Sequence, residues 1–259
     1  MLPDIFNLQL IKISLYGLFI VTGFVIWSFI FWRNLRDQGI DDEKIFDNLL
    51  TVTISSIIIA RLVYVFINWH NFAPNILRVL VIWKFPGFSF WGAFFGGILG
   101  SLLITLKQKF PVAQVFDSYG VSFPYAMFWT SMVSVFNGTV IGTTTSLFWG
   151  AQSLGLVGKR HPVAIYSAFI ALFIIIFIFI IKKKWSLKHK PGIISSLVFF
   201  IFGFGEFMLA FFRADLLYWD SVSIEHILAF LVLIVSAVIL IINLSRIKST
   251  NTDIKINNL

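Results

Sequence analysis

Apolar residues fall along this chain in long unbroken runs. They do not show the alternation or the three-and-four spacing of elements that keep one face in water. Seven runs of about 20 residues, the length needed to cross a bilayer core, lie at roughly 13–32, 45–67, 88–106, 119–136, 163–181, 192–212 and 224–243. In lipid a single segment satisfies its own backbone only as a helix. The pattern therefore predicts an all-α, polytopic membrane protein with seven transmembrane helices. It reads as a single transmembrane domain over 1–245 and a short cytoplasmic tail over 246–259. The fourth run is the least apolar, because Pro124 interrupts it and Thr130, Ser131 and Ser134 occupy its second half.

Seven crossings put the termini on opposite sides, and Lys and Arg choose which. Of the 20 basic residues, thirteen lie in connections 1–2, 3–4 and 5–6 and in the tail: Arg33, Arg36, Lys44, Lys107, Lys109, Lys182, Lys183, Lys184, Lys188, Lys190, Arg246, Lys248 and Lys255. Five lie on the other side: Lys12, Arg78, Lys84, Lys159 and Arg160. The expected arrangement has the N-terminus outside and the C-terminus in the cytoplasm. The longer connections, 68–87 and 137–161, then face outward, where irregular chain can shape a site. Met1 to Lys12 lacks a basic start and a small-residue cleavage site, so no removed signal peptide is expected.

Composition agrees. The 259 residues are 58% hydrophobic and 12% charged, more apolar surface than one soluble core can hide. The net charge of +8 reads as a topology signal, so no nucleic-acid partner is expected. Cysteine is absent, which excludes disulfides and thiolate chemistry from the chain itself. The four histidines, His70, His161, His189 and His226, are too scattered for a metal-ligand spacing. No metal or cofactor is expected.

The stretch from Phe128 to Thr145 begins apolar and turns polar without acquiring charge. Asn137, Gly138 and Gly142 follow directly on Val135 and Phe136. Such a segment must face protein or a wet cavity, unless it is a glycine-capped helix end leading into a loop. Gly92, Gly96 and Gly100 recur every four residues, so one helical face there admits a close neighbour. Few ionisable residues lie at membrane depth: Arg61 in the second run, and Glu206 with Arg213 and the nearby Asp215 around the end of the sixth. Charges in hydrocarbon are costly unless paired or wet. These residues therefore read either as an ion pair, Glu206 with Arg61 or Arg213, or as arginines clamping a phosphate.

Several motifs in order carry a resemblance. They are Tyr16-Gly17-Leu18, Arg61-Leu62-Val63-Tyr64, Trp83 with Ser89-Phe90-Trp91-Gly92, Asp117 with Pro124, and Asn137-Gly138 with Gly142. Arg160-His161-Pro162 with Tyr166 and Phe211-Phe212-Arg213 with Asp215 complete the set. Together they resemble the bacterial prolipoprotein diacylglyceryl transferases. Where that family carries a histidine before glycine-glycine, this chain has Trp91. Its signature arginine and first asparagine fall on Ser131 and Ser134, and its next glutamate and arginine on Thr139 and Thr143. In the sixth run, Glu206 and Ala210 replace an arginine and a glutamate.

The resemblance implies an enzyme of the bacterial inner membrane that moves a diacylglyceryl group from phosphatidylglycerol to the lipobox cysteine of a prolipoprotein, forming a thioether. Phosphatidylglycerol, prolipoprotein signal peptides and membrane lipids are the implied partners. Arg213 and His161 are the expected catalytic residues, for the departing phosphate and the thiol proton. Tyr16, Arg61, Asn137, Gly138, Gly142 and Tyr166 are the expected substrate-binding residues. The alternatives are a catalytically inactive relative that binds phospholipid or signal peptide, and a transporter, for which paired polar faces and inverted repeats are lacking.

Overall fold

In the computed structural model the described residues are 4–8, 11–152, 155–184, 191–214, 217–219 and 222–257. A short antiparallel hairpin, β1 (Asp4–Leu8) and β2 (Ile11–Ser14), precedes α1 (Leu15–Arg36). Then come α2 (Asp42–Ile67), the single turn α3 (Trp69–Phe72), a 3-10 turn at Ile76–Val79, α4 (Phe90–Lys107) and α5 (Val112–Asn137). The two-residue strands β3 (Ala151–Gln152) and β4 (Lys159–Arg160) pair with each other. They lead to α6 (Val163–Lys184), α7 (Ile193–Ala210), the pair β5 (Tyr218–Trp219) and β6 (Val222–Ser223), and α8 (Ile224–Asn257). The described residues are thus helical apart from turns and short hairpins before α1 and in the connections.

Among the described residues, six helices, α1, α2, α4, α6, α7 and α8, are long and apolar enough to cross a membrane. The fourth of the seven expected crossings, now α5, is not among them. It is helical for 26 residues, but it carries Pro124 and a polar first half. The hydroxyls in its second half are satisfied within the helix. Thr130, Ser131 and Ser134 each donate to the carbonyl four residues back, at 2.8, 2.8 and 3.1 Å. Lipid-type surface is plain on α6, where Phe169, Phe173, Ile176 and Phe179 are exposed; a helix in water would not leave this face bare. The expected tail from 246 continues α8 as helix to Asn257. Asp215, Lys188, Lys190 and His189 lie outside the described residues.

Contacts divide the chain into two compact units, residues 35–115 and residues 1–34 with 116–259. In the first, α4 packs on α2 through the predicted glycine face. A Cβ on Gly92 would stand 2.8 Å from Ala60 Cα, one on Gly96 2.8 Å from the Ser55 carbonyl, and one on Gly100 2.0 Å from Ser55 Oγ. Nothing larger than hydrogen fits, so the backbones meet directly. Asn48 Nδ2 donates to Thr105 Oγ1 at 3.1 Å across the same interface.

In the second unit, α7 packs on α6 and α8. Gly205 admits Ile170 of α6, and Gly203 admits Ala229 and Leu233 of α8. Asp117 of α5 caps α7. Its Oδ2 accepts from Gly192 N at 2.6 Å, and its Oδ1 accepts from Ser195 N and Oγ, both at 2.8 Å. An anion at a helix N-terminus satisfies free N–H groups and opposes the helix dipole. Here the carboxylate comes from another helix.

Candidate functional site

α5 ends at Asn137. Gly138 follows with φ 63 and donates to the Ser134 carbonyl at 2.9 Å. This is the left-handed glycine cap that the sequence offered as one reading. The Asn137 side chain is exposed beyond it. The chain then runs extended through 141–145, tied to two distant segments. Thr143 N donates to the Phe212 carbonyl at 2.8 Å, and Ala214 N donates to the Ile141 carbonyl at 2.8 Å, so Gly142 and Arg213 stand opposite each other. His161 N donates to the Thr143 carbonyl at 3.0 Å, and Thr145 N donates to the Lys159 carbonyl at 2.9 Å, so Thr144 and Arg160 are likewise opposed. Connections that are far apart in sequence are thereby joined at Thr143.

Gly142 is what lets the strand lie there. A Cβ on it would fall 2.0 Å from the His161 carbonyl oxygen and 2.9 Å from its carbon. The His161 ring rests 4.9 Å from the Phe212 ring, centre to centre. Its Nδ1 is 3.3 Å from Tyr166 Oη, which also accepts from Trp149 Nε1 at 2.8 Å. Arg160 Nη1 donates to the Gly142 carbonyl at 3.0 Å. Arg213 is half-buried, and its positive charge acts on Glu206 of α7. A groove of about 400 Å³ runs between α1 and α5, lined by Phe19, Gly23, Trp27, Trp129, Ser134 and Thr139 among others. Among the described residues, no charged one lines it. The hydroxyls of Thr130 and Ser134 that border it are bonded to helix carbonyls, so its walls are largely apolar.

The structure brings together Gly142, His161, Tyr166 and Arg213, at the end of the strand that leaves Asn137 and Gly138. Tyr16 lies in the first turn of α1. Arg61 belongs to the other unit and is buried. Its Nε, Nη1 and Nη2 donate to the carbonyls of Val79, Gly87 and Arg78 at 3.1, 2.9 and 3.2 Å. The rings of Phe72, Tyr64 and Phe88 surround the guanidinium. Arg61 therefore holds the connection between α2 and α4 in shape. Sequence reasoning met Thr143 only as the replacement of a family arginine, since its contribution is backbone, and passed over Trp149, an aromatic in a glycine-rich loop. It also passed over Arg160, which it read as part of a motif and not as a site residue. Among the described residues, no three His, Asp or Glu side chains gather to hold a metal ion.

The profile of the prolipoprotein diacylglyceryl transferase family matches residues 3–242. The chain belongs to this family. The phosphatidylglycerol–prolipoprotein diacylglyceryl transferase of Clostridioides difficile (strain 630) is 24% identical over 197 residues, 75% of this chain and 76% of that protein. The protein of the same name from Buchnera aphidicola subsp. Schizaphis graminum (strain Sg) is 29% identical over 189 residues, 62% of this chain and 66% of the relative. That of Tropheryma whipplei (strain TW08/27) is 26% identical over 148 residues, 54% of each. The chain thus spans about half the length of the Tropheryma relative. The family match takes in every residue of the junction around Thr143. With the apolar helices, membership makes this a multi-pass membrane protein.

Proposed function

We propose that the chain transfers a diacylglyceryl group from phosphatidylglycerol to the lipobox cysteine thiol of a prolipoprotein at the outer face of the bacterial inner membrane. In this reading α5 is the fourth of seven crossings, the N-terminus is outside and the C-terminus is cytoplasmic. The supporting observation is the junction at Thr143, which brings Arg213 together with His161 and Tyr166, while Thr139, four residues earlier, lines an apolar groove between α1 and α5.

In the proposed step the thiol sulfur attacks the glycerol carbon that bears the phosphate. The carbon–oxygen bond breaks, a thioether forms and glycerol phosphate leaves. His161 takes the thiol proton at Nε2, with Nδ1–H donating to Tyr166 Oη, which Trp149 steadies from its other side. Arg213 stabilises the charge gathering on the leaving phosphate. Asn137 meets glycerol oxygens, and the acyl chains lie in the α1–α5 groove. Arg61 shapes the outward connection between α2 and α4, and Tyr16 sits where α1 enters the outer leaflet.

A second reading has its own observation. Ser131 and Ser134, standing where the family signature carries an arginine and an asparagine, spend their hydroxyls on their own helix and offer a ligand little. That favours a relative that binds phospholipid or signal peptide without turnover. Purified protein mixed with phosphatidylglycerol and a lipobox peptide decides between them. Transfer gives a peptide heavier by one diacylglyceryl group. Peptide retained on the protein but unmodified at every pH supports the binder.

A further inference from the structure

Arg160 stands apart from the residues assigned so far. Its Nε is buried and has no hydrogen-bond partner among the described residues, although an N–H left unpaired in a protein interior is costly. Its Nη1 is engaged, on the Gly142 carbonyl at 3.0 Å. Arg160 opposes Thr144 across one antiparallel bridge, and Arg213 opposes Gly142 across the other. Directly opposed residues present their side chains to the same face of an antiparallel pair, and residues two apart on a strand share a face. Arg160 and Arg213 therefore rise from one face, offset by about 7 Å along the strand. The bond from Nη1 to Gly142 draws the Arg160 guanidinium toward the residue that Arg213 faces.

We infer that Arg160 and Arg213 form a two-guanidinium site for a phosphate ester, with Arg160 setting the preference for an anionic over a neutral lipid. Guanidinium groups match phosphate oxygens in geometry and keep their charge at any working pH. A phosphate oxygen received by Arg160 Nε would satisfy the orphan donor. The inference rests on the proposed lipid site but not on turnover. A chain that binds through Arg160 and forms no thioether would sustain it while sinking the transfer reading.

The test is native mass spectrometry of the full chain in detergent, titrated with phosphatidylglycerol or with diacylglycerol of the same acyl chains. Wild type should prefer phosphatidylglycerol. Arg160→Gln should weaken phosphatidylglycerol binding by about tenfold or more, as loss of a charged hydrogen bond does, and leave diacylglycerol binding unchanged. Arg160→Lys should recover part of the preference. Millimolar inorganic phosphate separates the sources. Displacement of lipid from wild type but not from Arg160→Gln supports free phosphate as an occupant, and undisturbed lipid supports the headgroup alone. Equal phosphatidylglycerol affinity in Arg160→Gln and wild type would overturn the inference. So would equal loss of both lipids with a lowered melting temperature, which marks Arg160 as purely structural.

Discussion

Replacing Gly142 with alanine tests the geometry at its tightest point. The added methyl would stand 2.0 Å from the His161 carbonyl oxygen, and its next two contacts are also His161 backbone. Relief needs a backbone movement of about 1.4 Å to reach ordinary contact at 3.4 Å. No flexible side chain can yield instead. The movement breaks the bond from His161 N to the Thr143 carbonyl and disturbs that from Val163 N to the His161 carbonyl. At roughly 0.5–1.5 kcal/mol each, the folded state loses about 1–3 kcal/mol. The site suffers more, because displacement of a reacting group by about 1 Å can cost on the order of a hundredfold in rate. Gly142→Ala should therefore keep its fold but lose about 99% of transfer, with faster amide exchange in 141–145 and 159–163. Gly138→Ala is the control. It strains a left-handed residue with open space around it, at about 1 kcal/mol. Wild-type transfer and unchanged exchange in Gly142→Ala would refute the reasoning.

Other outcomes follow from the same contacts. Asp117→Ala removes the carboxylate accepting three bonds at the start of α7, and should lower stability by about 2–4 kcal/mol, read as the melting temperature in detergent; Asp117→Asn should recover part of the loss. Arg61→Lys loses the fork that reaches three carbonyls, and limited proteolysis should then cut within 76–89 several times faster than in wild type. Tyr166→Phe removes the hydroxyl between Trp149 and His161, and should lower kcat about tenfold with KM for the lipid little changed.

The helices were legible because unbroken apolar runs mark their own limits. The runs at 163–181 and 88–106 became Val163–Lys184 and Phe90–Lys107. Helix and apolar run differ in extent where polarity and helix part company. α5 begins seven residues before its apolar run, because Gln114, Asp117 and Ser118 are helical and polar. α8 continues to Asn257 because neither glycine nor proline follows to stop it. The glycine face of α4 was readable from spacing alone. Its partner was not, since nothing in Ser55 or Ala60 announces which helix they meet.

In the site, the family resemblance pointed to His161, Tyr166 and Arg213, but the pairing of 141–145 with 159–161 and 212–214 is made by backbone groups, which every sequence possesses. Arg61 shows the converse. An arginine at membrane depth suggested a headgroup or an ion pair, and its three donors instead reach carbonyls contributed by residues 78–87. Carbonyl acceptors leave no trace in a sequence, so that outcome could not have been read in advance.

The central claim is that a lipid headgroup meets the protein where Gly142, His161 and Arg213 converge. Phosphatidylglycerol carrying a photoactivatable group on its terminal glycerol, irradiated with the purified chain and mapped by peptide mass spectrometry, tests it most directly. Label should concentrate in 137–145, 159–166 and 207–214 and fall away when unlabelled phosphatidylglycerol is added. Label missing from all three stretches, or undiminished by the competitor, would contradict the account.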